Sequence, residues 1–322
     1  NGLKRCIDFA GGVIVQVQFD KPVNDEALKK SLDIPALPGI TTQRFGEGGR
    51  DYLLRFSSAE NADASALRTN VVNALASAFP DNAAQILRLE VVGPKVGDDL
   101  TNKALSALYY AVLLIAVYIS GRFEQRWMAG AIMAAALWGG MYVLSFTGLG
   151  MGWLVLFALA ITMVVCFFLK LNFALGAVVG LLHDVFITAG LLSIMDVEID
   201  LNVMAALLTL VGYSLNDTII VYDRLRENLR AAPKIDLASL INRSINQTLS
   251  RTILTSGTTF VATLSLFLLG GGVIHDFALT MLIGVFIGTA SSIYVSSAIL
   301  LGLGDTDFYV RAQEKEKYER PG

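Results

Sequence analysis

The sequence predicts a polytopic α-helical membrane protein with a small α+β domain at its N-terminal end, and three observations carry that reading. Hydrophobic residues make up 54% of the 322 residues, charged residues 16%, and the mean hydropathy is +0.57, more apolar surface than a water-soluble domain tolerates. From Ala104 onward the chain is a succession of apolar stretches of spanning length, about 20 residues each at 1.5 Å rise. Before Ala104 it is polar, with short β-rich and helical segments. The net charge of −3 is scattered, so no basic face points to a nucleic-acid partner. Cys6 lies in a polar segment and Cys166 in an apolar one, which makes no disulfide framework.

Residues 1–98 read as the small domain. Val13 to Phe19 is β-rich with partial alternation, Asn24 caps a short helix to Leu32, and Thr41 to Phe45 reads as a strand. Asp51 to Phe56 follows as a strand, Asp63 to Phe79 as a helix with Leu67, Val71, Val72 and Leu75 at apolar positions, and Ala84 to Val92 as the last strand. The order βαββαβ predicts a ferredoxin-like domain. Gly11-Gly12 and Gly46-Glu47-Gly48-Gly49 mark turns or bulges. The second begins like a dinucleotide fingerprint, but Asp51 stands where its last glycine belongs and a strand follows, which speaks against phosphate binding.

Seven apolar stretches follow, near 104–119, 128–146, 152–169, 174–194, 202–222, 252–270 and 277–303, within a helical domain of 99–304 that ends in a tail, 305–322. Short loops on one side carry Arg122 and Arg126, Lys170, then Arg224, Arg226, Arg230, Lys234, Arg243 and Arg251, and finally Arg311, Lys315, Lys317 and Arg320; that side is cytoplasmic. The opposite loops hold no Lys or Arg: 147–152 is neutral, Asp196, Glu198 and Asp200 are acidic, and His275 and Asp276 end the set. Residues 1–98 are therefore expected outside and the C-terminus in the cytoplasm. No apolar core of a signal peptide lies within Asn1 to Asp8, so a span or signal upstream of Asn1 is expected. Between Tyr222 and Thr252, the spacing of Ile235, Leu237, Leu240, Ile241, Ile245 and Leu249, most of them on one helical stripe, predicts an interfacial helix or a connector packed on helix ends.

A charge at the bilayer centre costs about 2.5 to 3.5 kcal/mol on insertion scales, so each one there needs a partner, a water cavity or a purpose. His183 and Asp184 lie mid-span, Asp217 beside Asn216 lies toward the cytoplasmic third of 202–222, and Arg251 stands at the cytoplasmic start of the next span. An Asp facing water exchanges a proton, and a nearby Arg stabilises its charged form and releases it when helices move. That is the chemistry of a relay, with about 2.3 kcal/mol available per charge per 100 mV. A structural hydrogen bond between helices competes for Asp217, and a topology anchor for Arg251. Adjacent residues point about 100° apart, so His183 reads as a structural partner rather than a second cavity group. No further His or Cys has metal-ligand spacing, and no Ser-His-Asp or paired-carboxylate set supports hydrolysis; neither metal, cofactor nor enzyme activity is expected. Gly284, Gly288, Ala290, Ser291 and Ser292 allow close helix approach, either static or sliding.

Val211-Gly212-Tyr213-Ser214-Leu215-Asn216-Asp217-Thr218, followed by Asp223-Arg224-Leu225-Arg226-Glu227-Asn228, resembles the signature of the SecF family of the bacterial Sec accessory complex. Ile7-Asp8-Phe9-Ala10-Gly11-Gly12, Val92-Gly93-Pro94 to Gly97, Leu182-His183-Asp184-Val185, and Arg251-Thr252 through Thr255-Ser256-Gly257-Thr258-Thr259 are similar to further family motifs. The resemblance implies the resistance-nodulation-division superfamily and a bacterial cytoplasmic (inner) membrane location. It implies partnership with SecD, the SecYEG channel and YajC, an unfolded preprotein substrate, and surrounding lipid. It also implies a proton pathway through Asp217 and Arg251, with Asn216, His183, Asp184 and Ser214 as supporting polar groups.

Two features depart from the family pattern. Cys6 stands where members have Gly, and two extra spans separate Arg122-Phe123-Glu124 from Ala174-Leu175-Gly176-Ala177, near 122–172. Ala129-Gly130-Ala131 resembles Leu175-Gly176-Ala177, a partial duplication in which Leu137 and Trp138 replace His183 and Asp184. An ion-driven transporter of small hydrophobic molecules, with the same superfamily architecture, and a structural assembly factor are the alternative functions.

Overall fold

Alternation of valine with polar residues makes Gly12–Phe19 (β1) a strand with one apolar face: Val13, Val15, Val17 and Phe19 are buried while Gln18 is exposed. The structure, a computed structural model, describes residues 6–32, 40–45, 48–56, 64–124, 127–146, 151–232, 234–304 and 309. The tail 305–322 apart from Tyr309, residues 46–47 of the glycine turn, Asp63, Arg126 and residues 147–150 of the neutral loop lie outside them. The chain divides into two compact units. One is Asn1–Lys103 with Asp196–Met204 and Leu266–Asp276; the other is Ala104–Met195 with Ala205–Ser265 and Phe277–Gly322.

In the first unit, Ile7–Ala10 (α1) precedes β1, and Asp25–Leu32 (α2), Thr41–Phe45 (β2), Asp51–Phe56 (β3), Ala64–Ala78 (α3) and Ala84–Val92 (β4) follow. The four strands form one antiparallel sheet in the order β2-β3-β1-β4. Val15 opposes Leu54 on one side and Leu89 on the other, and the pairing with β4 shifts between Gln16 and Val17. Leu28 and Leu32 from α2 and Leu67, Val71 and Leu75 from α3 close over the buried face. Asn24 caps α2, its side-chain oxygen accepting from the Glu26 amide at 2.9 Å.

The glycines before β1 have a steric cause. Gly11 and Gly12 have φ of 74° and 145°, and a Cβ on Gly12 would lie 2.9 Å from the Phe56 carbonyl oxygen. Gly97 lets the chain pass over α1, since a Cβ there would sit 2.9 Å from the Phe9 carbonyl oxygen. The Cys6 amide donates to the Ile199 carbonyl at 3.0 Å, and Arg55 pairs with Glu198, which ties 196–204 to the sheet. Cys6 and Cys166 are both free and buried.

The remaining helices are Pro94–Glu124 (α4), Trp127–Ser145 (α5), Met151–Phe168 (α6), Asn172–Ile194 (α7), Leu201–Ala231 (α8), Leu237–Leu269 (α9) and Gly272–Leu303 (α10). Among the described residues five helices are long and apolar enough to cross a membrane: Lys95–Phe123, Asn172–Ile194, Leu201–Ala231, Leu237–Leu269 and Ile274–Leu303. The expected spans 128–146 and 152–169 contain the shorter apolar helices Met128–Gly140 and Gly152–Phe168.

The segment between Tyr222 and Thr252 is not a separate interfacial helix. α8 continues to Ala231, and α9 runs unbroken from Leu237 to Leu269. The apolar stripe of Leu237, Leu240 and Ile241 is buried with Leu225 and Leu229 of α8. Asn228 donates to Ser244 at 2.8 Å and to Gln247 at 2.9 Å, so protein rather than lipid satisfies this amphipathic pattern. Helix α10 lies close to α8 and α7 because its contact positions are small. A Cβ on Gly284 would come within 2.6 Å of Leu210, and one on Gly288 within 3.1 Å of Ser214.

Candidate functional site

Spacing of three and four residues on α8 sets Ser214, Asp217 and Thr218 on one buried face. Asp217 is 1% exposed, and its Oδ2 accepts a hydrogen bond from Ser256 of α9 at 3.1 Å. Thr289 of α10 places its Oγ1 2.8 Å from Ser256 Oγ and 2.7 Å from the Val285 carbonyl. One turn back along α8, Ser214 donates to Asp184 Oδ2 of α7 at 2.5 Å, and His183 Nδ1 lies 3.1 Å from Asp184 Oδ1. Asp184 is buried, whereas the His183 side chain is 38% exposed. Gly288 admits this contact: a Cβ there would lie 3.5 Å from Asp184 Oδ2. Four helices thus converge on two carboxylates, each held by a serine from a neighbouring helix.

Neither carboxylate meets a Lys or Arg within ion-pair distance among the described residues. Removing a carboxylate from water without a cation is costly, so the charge state of such a group depends on what proton, ion or water reaches it. A hydroxyl partner lowers that cost without fixing the charge, because it can turn to donate or accept. The arrangement suits reversible uptake of one small cation or proton. Among the described residues no group of three or more His, Cys, Asp and Glu could hold a metal ion.

The expected site residues are only partly brought together. Ser214, Asp184, His183 and Asp217 lie in the buried cluster or at its edge. Asn216 is exposed, one position round the helix from Asp217. Arg251 is exposed as well, and its side chain makes no hydrogen bond or ion pair with Asp217 among the described residues. The cause is helix geometry: α9 turns Thr252 and Ser256 inward, and the residue before Thr252 points about 100° away. Ser256, which the sequence offers only as part of a family motif, and Thr289 join the expected residues at this site. The available signal was the recurrence of hydroxyls every fourth residue along α9, at Ser244, Thr248, Thr252 and Ser256.

Comparison with known proteins agrees with this architecture. The family described as "Protein export membrane protein SecD/SecF, C-terminal" matches residues 71–150 and 146–306, and the "SecD/SecF GG Motif" matches residues 1–23. The protein translocase subunit SecF of Vibrio alginolyticus is 36% identical over 311 residues, covering 97% of this chain and 84% of the relative. SecF of Magnetococcus marinus is 40% identical over 302 residues, covering 93% and 82%. A crystal structure of SecDF from Thermus, described as a translocon-associated membrane protein, aligns at TM-score 0.65 and 32% identity, covering 93% of this chain and 34% of that one. A second SecDF structure, in a super-membrane-facing form, aligns at TM-score 0.52 and 31% identity over 99% of this chain. The chain spans about a third of the length of the SecDF chains, and most of the length of the separate SecF relatives. With these matches, and with a chain that combines buried carboxylates on apolar helices and a four-stranded antiparallel sheet, the chain belongs to the SecF family of protein translocase subunits.

Proposed function

We propose that the chain assists protein translocation across the bacterial cytoplasmic membrane, driven by ion flow through Asp217, in complex with SecD and in association with the SecYEG channel and YajC. Asp217 takes up and releases the ion, and Asp184, Ser214 and His183 shape the polar interior beside it. Arg251 and Asn216, exposed on this chain, are the groups through which SecD acts on the relay. The four-stranded domain is ferredoxin-like, faces the extracytoplasmic side and holds the emerging unfolded preprotein, while the C-terminus is cytoplasmic. Its sheet order and βαββαβ sequence of elements support the ferredoxin-like topology.

The observation that carries this reading is the placement of Asp217: 1% exposed on a spanning helix, held by one serine hydroxyl and paired with no cation among the described residues. A merely structural carboxylate would be served as well by Asn. The test is gradient-driven preprotein translocation into membrane vesicles carrying Asp217→Asn. Loss of the gradient-dependent part is expected, with complex assembly intact. Full activity in this variant would end the relay assignment.

A further inference from the structure

Helix α9 carries a buried hydroxyl every fourth residue, at Ser244, Thr248, Thr252 and Ser256, so that all four share one stripe from the arginine-rich end of α8 and α9 to Asp217. Three of the four are accounted for. Ser244 accepts from Asn228 at 2.8 Å and donates to the Leu240 carbonyl at 2.7 Å. Thr248 turns back to the Ser244 carbonyl at 3.0 Å. Ser256 donates to Asp217 Oδ2 at 3.1 Å.

Thr252 differs. It is 1% exposed, and its Oγ1 is buried with no hydrogen-bond partner among the described residues. Its neighbours Thr248, Thr255 and Thr259 each bond the carbonyl four residues back, a partner open to any helical threonine, yet Thr252 does not take it. The antiparallel register explains the empty side. Ser256 meets Asp217 and Ser244 meets Asn228, so Thr252 comes opposite the aliphatic pair Ile220 and Val221 of α8. Leaving a buried hydroxyl unpaired is costly, and a bound water removes that cost. Asp217 also has acceptor capacity to spare, since Ser256 donates to Oδ2 alone.

We infer that Thr252 Oγ1 binds water that links Asp217 to the arginine-rich end of α8 and α9, making the hydroxyl stripe the route by which protons leave the relay toward that side. Thr252 is thus a positioning residue. A proton given up by the Asp217 carboxyl passes along the water toward that end, each donor being re-protonated by the next; no bond other than O–H forms or breaks. The ionisable groups around the route include Asp217 itself, Asp184 and His183 on α7, Arg251 and Arg243 on α9, and, at the arginine-rich end, Asp223, Arg224, Arg226 and Glu227 on α8 with Arg122 of α4. Helix α10 carries no charged residue between 277 and 303 and presents Thr289.

This inference rests on the relay role proposed for Asp217, and one set of variants separates the two. Thr252→Val keeps the shape and removes only the hydroxyl; Thr252→Ser keeps the hydroxyl. Translocation is measured in vesicles carrying the full chain with its partner subunit, across pH on the arginine-rich side and in H2O against D2O, together with thermal stability of the purified complex. The expected result is a stability for Thr252→Val equal to or above the parent's, with translocation slowed about tenfold, a change of 1.36 kcal/mol in barrier. Its dependence on pH at that side should weaken, and Thr252→Ser should restore both. Parental rates in Thr252→Val with Asp217→Asn inactive would remove the water route and leave the relay standing. Full activity in Asp217→Asn would remove both. Loss of stability in Thr252→Val would show that the hydroxyl is bonded within the protein, and rescue of Thr252→Val by raised sodium would show a cation site; either result overturns the inference.

Discussion

Helices α5 and α7 start alike and bury different chemistry. Each has a glycine early on that lets a neighbour approach: Gly130, where a Cβ would lie 3.3 Å from Val117, and Gly176, where it would meet the Tyr222 hydroxyl and lie 3.2 Å from the Ser296 carbonyl. Further along, α7 buries Asp184 and Thr188, whereas α5 buries Met133 and Leu137 and exposes Trp138. The partner helix follows suit. Ser214 of α8 reaches across to Asp184, while in α6 Thr162 turns back to its own Ala158 carbonyl at 2.9 Å and Cys166 lies 3.7 Å from the Met133 sulfur. The outer face of α5 is an aromatic series, with Trp138, Tyr142 and Phe146 rings spaced 6.1 and 5.0 Å apart. Apolar composition is therefore common to both helices. Cross-helix hydrogen bonds to buried polar groups are what set α7 and α8 apart from α5 and α6.

The largest effect should come from forcing one region's chemistry into the other. Leu137→Asp places a carboxylate at a fully buried position of the apolar core, where the buried hydroxyl of α6, Thr162, is already donated to its own helix. About 2.5–3.5 kcal/mol should be lost, read as reduced membrane-integrated yield and melting temperature. The reciprocal change, Asp184→Leu, leaves the Ser214 hydroxyl without its acceptor and should cost about 1–3 kcal/mol. Equal tolerance of the two substitutions would break the comparison.

A smaller effect tests whether close approach of α10 holds the Ser214–Asp184 contact together. In Gly288→Ala the new methyl lies 3.1 Å from Ser214 Cβ and 3.5 Å from Asp184 Oδ2, so Ser214 must give way and its bond to Asp184 lengthens. A loss of about 1–3 kcal/mol is expected from overpacking. Gly190 on α7 has nothing within 4 Å of an added Cβ, and Gly190→Ala should be neutral or stabilising by up to about 1 kcal/mol. Thermal melts of the two variants side by side decide the point.

Much of the architecture is legible because it depends on local periodicity. Strands Thr41–Phe45, Asp51–Phe56 and Ala84–Val92 begin and end where alternation and turn residues place them, and α3 is within one residue of its expected limits. What could not be read depends on contacts far along the chain. Helix α1 is four residues long, and its neighbourhood is set by Gly97 and Ile199. The continuity of α9 follows from packing of its amphipathic start on α8, which looks the same in sequence as packing on lipid. The charges at Asp184, Asp217 and Arg251 are conspicuous against apolar surroundings, yet their directions are not, since one residue turns a side chain by about 100°. Hydroxyl residues hide best of all. Ser256 resembles every other Ser or Thr on α9 until Asp217 is seen across from it.

The smallest effect concerns a carboxylate treated in the opposite way. Asp25, in the four-stranded domain, is half exposed, accepts from Arg44 at 2.9 and 3.2 Å, and lies 2.8 Å from the Tyr52 hydroxyl. The Tyr52 hydrogen bond, with help from Arg44 and against some burial, holds its carboxyl below the usual value of 3.8. A group with a lowered folded-state pKa stabilises the fold above its unfolded-state value, and that contribution disappears as pH falls through the folded-state value. Asp25→Asn should therefore lower stability slightly at neutral pH and leave it unchanged at the acid extreme, so that the two melting curves converge as pH drops below 3.8. Salt should shrink the neutral-pH difference, because the pair is open to solvent. A difference between Asp25→Asn and parent that stays constant with pH would show that Tyr52 and Arg44 hold the side chain by shape rather than charge, and would remove the contrast between this carboxylate, which has a cation, and Asp184 and Asp217, which have hydroxyls instead.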